Sequence, residues 1–216
     1  MLESDKKRVL KINSTQTMLT LTRAFDRLLN ELRKIDPKNP LPLGLEDVLS
    51  KRVKEFTTKD RLPLVRQGEV PRDCYFLIRG TIFLRNYDAN GDMHVIRFYR
   101  ENKIVARKSF LLQEPSRCDV VATKGSLLFR ISHQDMKQVP GLEALMQLTV
   151  MEYDNYKVQL REELLFKDIA IRIAEFYATF PALLSARSFK IDQEIAAYLS
   201  ISISTLRKFR KELSQH

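Results

Sequence analysis

The chain has 216 residues, of which 44% are hydrophobic and 30% charged, with a formal net charge of +10. That length supports one large domain or two small ones around a real core. No apolar run reaches the roughly eighteen residues of a membrane span, and the opening "MLESDKKRVLKINSTQ" lacks a signal peptide's apolar stretch and cleavage site, so a cytoplasmic protein with no membrane contact is expected.

Cys74 and Cys118 are too few for a Cys-rich zinc or all-thiolate iron–sulfur site, and both read as buried small residues. The charge is spread along the chain: +4 over residues 1–60, +6 over 61–130, −3 over 131–186 and +3 over 187–216. Bulk charge of this kind says little, so local pattern decides.

Met18, Leu21, Phe25, Leu28, Leu32 and Ile35 recur at helical spacing, the seam of an amphipathic helix that ends before "DPKNPLP". The seam is short for an independent coiled coil, so it is expected to pack on the body of the protein. From Leu62 to Ile131 short apolar or alternating runs are divided by turn residues, which predicts antiparallel strands closing into a β-roll or barrel. Asn90-Gly91 suits a type I′ hairpin turn, and Gly68, Gly80 and Gly125 mark other turns or strand ends.

Ser132 is a candidate cap for "HQDMKQV", and a long helix is predicted from about Leu142 to Phe166. Met146, Val150, Tyr153, Lys157, Leu160 and Leu164 form one stripe along it, which fits either packing on the protein's own roll or, the preferred reading, a symmetric dimer seam. The helix "DIAIRIAEFYATF" follows and stops at Pro181, and "ARSFK" reads as one short strand.

Two short helical patterns close the chain. Ile195, Ala196 and Leu199 give the first an apolar face, Ser200-Ile201 break it, and Ser202 can cap the second. In the second, Leu206, Phe209 and Leu213 face inward, while Ile203, Ser204, Arg207, Lys208 and Lys211 face outward. That arrangement suits a recognition helix, although a solvated terminal helix would show much the same charge.

Taken in order, "VRQGEVPRDCYFLIRGTIFLRNYDANGDMHVIRFY", "FKDIAIRIAEFY" and "IDQEIAAYLSISISTLRKFRKEL" resemble the Crp/Fnr family of bacterial transcription regulators, over roughly residues 45–213. The resemblance implies an α+β architecture: an antiparallel β-roll of the cyclic-nucleotide-binding jelly-roll kind, joined by a long dimerisation helix to a small helix-turn-helix domain. The implied division is an N-terminal extension over 1–40, the sensor roll over 41–140, the dimer helix over 141–167 and the DNA-binding domain over 168–216. It further implies a homodimer on a near-palindromic duplex, with RNA polymerase as a further partner. The DNA-facing residues would be Ser202, Ile203, Ser204, Thr205, Arg207, Lys208 and Lys211.

The departures from the family pattern are specific. Its Gly-Glu pair, which holds a ribose hydroxyl, falls on Val105 and Ala106, and its phosphate-binding arginine falls on Ser116. Arg117 is displaced by one residue, which in an extended strand turns it to the opposite face. Lys157 stands near the dimer-helix position that offers a hydroxyl to the base. The candidate effector pocket is therefore Arg107, Lys108, Ser109, Ser116, Arg117 and Lys157, degenerate for cyclic AMP. A different ligand, such as an anion attracted by Lys103, Arg107, Lys108 or Lys157, an unliganded scaffold, and control by a protein partner all stay open. At the other end, the family's arginine and glutamate base readers are replaced by Ile203, Ser204 and Lys208, Ser200 takes the glycine turn position, and no wing strands are expected after the recognition helix.

An enzyme is not expected. His94, His133 and His216 are widely separated with no His-x-His pair, and no phosphate loop or nucleophile grouping is readable, so neither a catalytic residue, a metal nor a cofactor is assigned. His94 reads as a strand-surface residue. The alternative function is a sensor or scaffold that acts through protein partners without touching DNA.

Overall fold

The computed structural model describes residues 21–186 and 188–213, with the side chains of 152–158 outside that description. A helix through residues 21–35 (α1) and a short helix Leu45–Arg52 (α2) precede the strands. Eight strands follow: β1 Lys54–Thr57, β2 Leu62–Val65, β3 Asp73–Arg79, β4 Ile82–Tyr87, β5 Met93–Tyr99, β6 Lys103–Val105, β7 Asp119–Ala122 and β8 Leu127–Ser132. Between β6 and β7 lies a one-turn helix, α3 Lys108–Leu112. Pairing is antiparallel throughout, in two four-stranded sheets ordered β1-β8-β3-β6 and β2-β7-β4-β5. This is the expected β-roll.

The inner strands β3 and β7 are buried on both faces. In β3, Tyr75 and Leu77 point between the sheets, where they meet Ile82, Leu84, Val120 and Leu128. Cys74, Phe76 and Ile78 point the other way, into a second core built with α1, α2 and the start of the long helix. The alternation follows from the two-residue side-chain period of a strand. Leu28 and Leu32 of α1 are buried in this second core, with Leu21, Phe25 and Ile35 against its edge, so the N-terminal seam packs on the body as expected. Met18 lies outside the described residues.

The hairpin between β4 and β5 differs from its prediction. It is a longer turn in which Gly91 donates to the Asp88 carbonyl, Asp88 donates to the Asp92 carbonyl, and only Gly91 has positive φ. Asp88 Oδ1 accepts the amides of Asn90 and Asp92, so the aspartate side chain organises the loop in place of a type I′ pair. At the next turn Gly80 has φ 102°, and a Cβ there would lie 2.5 Å from Ser126 Oγ. The crowding comes from a buried hydroxyl network in which Ser126 N–H donates to Thr58 Oγ1 and Ser126 Oγ donates to the Thr123 carbonyl.

Ser132 caps α4 (His133–Met136) by accepting the Asp135 amide at 3.0 Å, and α5 then runs Leu142–Leu165. The described part of the α5 stripe packs within its own protomer. Met146 is 2% exposed inside the α1–sheet core, Val150 packs on the same core, and Leu164 packs on the C-terminal helices. Leu160 is half-buried and lines a cleft with Ile96, Phe98 and Phe176 of the same chain, while Tyr153 and Lys157 lie among the side chains not described. A long helix wedged between two apolar bodies buries the described part of its stripe within its own protomer; among its described side chains, the large apolar ones left exposed are Leu148 and Met151.

The chain ends in α6 Ile169–Thr179, α7 Pro181–Leu184, α8 Phe189–Leu199 and α9 Ile203–Leu213. Pro181 opens α7 at its first turn, and the segment read as a strand instead leads into α8 from Ser188, with Arg187 outside the described residues. These helices form a third core on the outer face of β4, β5 and β7, through Phe83, Val95, Phe98 and Val121. A bulge between Leu84 and Arg85 puts one extra residue, Ile96, into β5. The extra residue shifts the side-chain parity, so that Val95 and Phe98, three apart, both reach the helices. Phe98 meets Phe176 and Tyr198 edge-on at 5.2 Å each.

Candidate nucleic-acid interface

Ile191, Ile195, Ala196 and Leu199 seat α8 in the third core, and the chain then turns at Ser200, whose φ of 55° is left-handed. A serine there costs about 1–2 kcal/mol relative to a helical conformation. Ser202 closes the turn: its Oγ accepts the Thr205 amide at 3.0 Å and lies 2.8 Å from both Ser204 Oγ and Thr205 Oγ1. Leu206 is fully buried, and Ile203 and Phe209 lie against the same core. Of the seven candidate DNA-facing residues, Ser202, Ser204, Arg207, Lys208 and Lys211 are exposed, whereas Ile203 and Thr205 are half-buried. Leu213, expected inside, is exposed because the helix has by then run past the core.

Asp192 is the organising residue that the sequence reading missed. It is buried on α8, accepts Arg210 Nη1 at 2.6 Å and Nη2 at 2.9 Å, and accepts Arg207 Nε at 2.8 Å. Burial raises its pKa, but the hydrogen bonds and charges of Arg210 and then Arg207 outweigh that and hold it below the ordinary carboxylate value. The carboxylate thus binds the two helices together and leaves Arg207 half-exposed at the surface, 5.5 Å over the Phe189 ring. A signal existed: Arg210 sits four residues after Leu206, on the inward side of α9, where a cation needs a buried partner.

A second buried carboxylate ties this unit to the roll. Glu194 of α8 accepts both terminal nitrogens of Arg61, one of them at 3.0 Å, and Arg85 Nη1 at 3.2 Å. Burial pushes its pKa up, against the opposing pull of Arg61 and Arg85.

Five of the six candidate effector residues have described side chains, and these differ in setting. Ser116 is buried and its hydroxyl donates to the Cys118 carbonyl at 2.7 Å, while Arg117 points to solvent from the opposite side of the chain. Arg107 and Ser109 are half-buried at the start of α3, Lys108 is exposed, and the Lys157 side chain is not described. Val105 and Ala106 are buried in apolar cores, and Lys103 is paired with Glu31 at 2.7 Å. A cleft of about 630 Å³ opens near this segment, lined by Glu69, Arg72, Asp73, Tyr75 and Gln113 among others, but by none of the five described candidates. Its charged lining is one cation against two carboxylates, a poor match for a phosphate.

Other sequence readings have plain outcomes. Cys74 and Cys118 are buried free thiols, and His94 is exposed on its strand, 2.9 Å from Asp88. No described helix is long and apolar enough to cross a membrane.

Residues 57–140 match the cyclic nucleotide-binding domain family. Among solved structures, FixK2 from Bradyrhizobium japonicum is 14% identical, covers 76% of this chain and 85% of its own, and superposes with a TM-score of 0.58. A protein from Eubacterium rectale assigned to the Crp/Fnr family of transcriptional regulators is 13% identical over 81% of this chain and 84% of its own, with a TM-score of 0.58. The c-di-GMP-responsive global regulator CLP of Xanthomonas campestris is 14% identical over 81% of this chain and 92% of its own, with a TM-score of 0.54. No curated protein sequence matches the chain. At these identities the likeness is one of fold.

Proposed function

We propose, from the premise that residues 57–140 belong to the cyclic nucleotide-binding domain family within a Crp/Fnr-type fold, that this chain is a sequence-specific DNA-binding transcription regulator. It works by binding and not by catalysis. The observation that carries the reading is α9: capped by Ser202 and seated by Leu206 and Asp192, it turns Ser204, Arg207, Lys208 and Lys211 to solvent. Hydroxyls and cations near the start of an exposed helix are suited to base edges and phosphates in a major groove.

The working form is a homodimer on a near-palindrome, with recognition helices roughly 34 Å apart. Leu148 and Met151 support α5 as the pairing element, since they are apolar and exposed on it. The sensor does not hold cyclic AMP in the usual way, because apolar Val105 and Ala106 and the inward-bonded Ser116 stand at the contact positions. Contact with RNA polymerase belongs to the same reading.

Fluorescence anisotropy of the full-length protein with mixed-sequence duplexes tests it. Nanomolar to micromolar affinity that falls with salt and is lost in Lys208→Glu/Lys211→Glu is expected. Affinity that ignores both salt and these charges would overturn it.

A further inference from the structure

A cleft of about 600 Å³ lies where α1, the β3–β4 turn, the β5–β6 loop and the α6–α7 corner meet. Its described walls carry Arg27 and Lys34 from α1, Arg100 from the β5–β6 loop and Lys103 from the start of β6, against two carboxylates, Glu31 and Glu101. Both carboxylates are already engaged: Glu31 accepts Lys34 and Lys103 at 2.7 Å each, and Glu101 accepts the Gly80 amide at 3.0 Å. Arg100 is exposed and has no ion-pair partner among the described residues. The cleft therefore keeps an excess of cation.

Two further features point to a ligand larger than a simple anion. Asn102, held at φ 60°, has a side-chain oxygen shielded from solvent with no hydrogen-bond partner among the described residues, and it is part of the wall. A shielded, unpartnered amide oxygen is costly unless another molecule supplies a donor. Phe180 adds an aromatic surface at the α6–α7 corner. The volume is that of an ordinary small-molecule site.

We propose that this cleft binds a phosphorylated small molecule of nucleotide size, with Arg27, Lys34 and Arg100 on phosphate and Asn102 accepting from a polar group beyond it. Arginine's planar fork suits phosphate oxygens, and the amide and ring suit the remainder. Such a ligand would span the boundary between the roll and the helices that carry α8 and α9. The proposal concerns ligand binding alone and is independent of whether α9 meets DNA.

The test is calorimetric titration of the full-length protein, without DNA, with ADP and separately with pyrophosphate. Saturable 1:1 binding of ADP is expected, weakened at least tenfold by Arg100→Glu and unchanged by Lys124→Glu, a charge reversal at the exposed β7–β8 turn. Tighter binding of ADP than of pyrophosphate is the further expectation, and Asn102→Ala should narrow that difference. Non-saturable binding, equal loss in Lys124→Glu, or loss through Arg117→Ala with Arg100→Glu unaffected would each overturn the assignment.

Discussion

Glu194 and Arg85 meet across the boundary between the helix-turn-helix and the roll, Arg85 Nη1 donating to the buried carboxylate at 3.2 Å while Arg61 holds it from the connection just before β2. With Phe98 seated among Phe176, Phe180 and Tyr198, the contact packs the C-terminal helices onto the body of the roll. Removing one partner of a buried ion pair costs about 3–5 kcal/mol. Glu194→Ala is expected to lose that much in urea denaturation, because it strands Arg61 and leaves Arg85 with Asp119 alone. Arg61→Ala should lose less, since Arg85 remains.

Asp192 sets the acid limit of the α8–α9 unit. Its folded pKa lies below the unfolded value of about 3.9, so its contribution is present above that value and is lost as pH falls through the folded pKa. Asp192→Asn should therefore be clearly less stable than wild type at pH 7, and the gap should close toward pH 3. A gap independent of pH would show that the carboxylate is not clamping Arg207 and Arg210.

The surface of α9 divides into two kinds of residue. Lys208→Ala should relax discrimination at one base pair by about 1–3 kcal/mol, read from competition between duplexes. Arg207→Ala should weaken binding to all sequences and lower the salt slope by about 1. It should also lower thermal stability, because Arg207 shares Asp192 with Arg210.

Legibility in the sequence followed locality. Ser202 and Leu206 could be placed because a cap and a helical period are written within one turn of chain, and the N-terminal seam, Ser132 and the bounds of α5 were readable for the same reason. Asp192–Arg210 and Glu194–Arg85 were not, since each joins residues on different elements and the second spans 109 positions. The α5 stripe was found, but periodicity gives a face and not its partner, and Met146 meets α1 and the sheet within the same chain. The hairpin turned differently because the Asp88 carboxylate captures two loop amides.

Dimerisation is accordingly expected through the residues that α5 leaves exposed. Met151, 68% exposed, should yield monomers in sedimentation equilibrium when changed to Glu, with the fold intact by circular dichroism. Met146→Glu should instead unfold the protein, because it puts a charge into the core.

Cys74 provides an independent check on the fold. Burial, and then the neighbouring Asp73 charge, push its thiol up to about 12, so it stays protonated at neutral pH. Thiol reagents should leave native protein unlabelled at Cys74 and label it after denaturation; rapid labelling of the native chain would place β3 at the surface.

Selection of bound duplexes from a random pool tests the central claim most directly. The full-length protein should enrich a near-palindrome whose half-sites lie one helical turn apart, with one position relaxed in Lys208→Ala. A pool that stays random after repeated rounds with properly folded protein would contradict the assignment of α9 as a recognition helix.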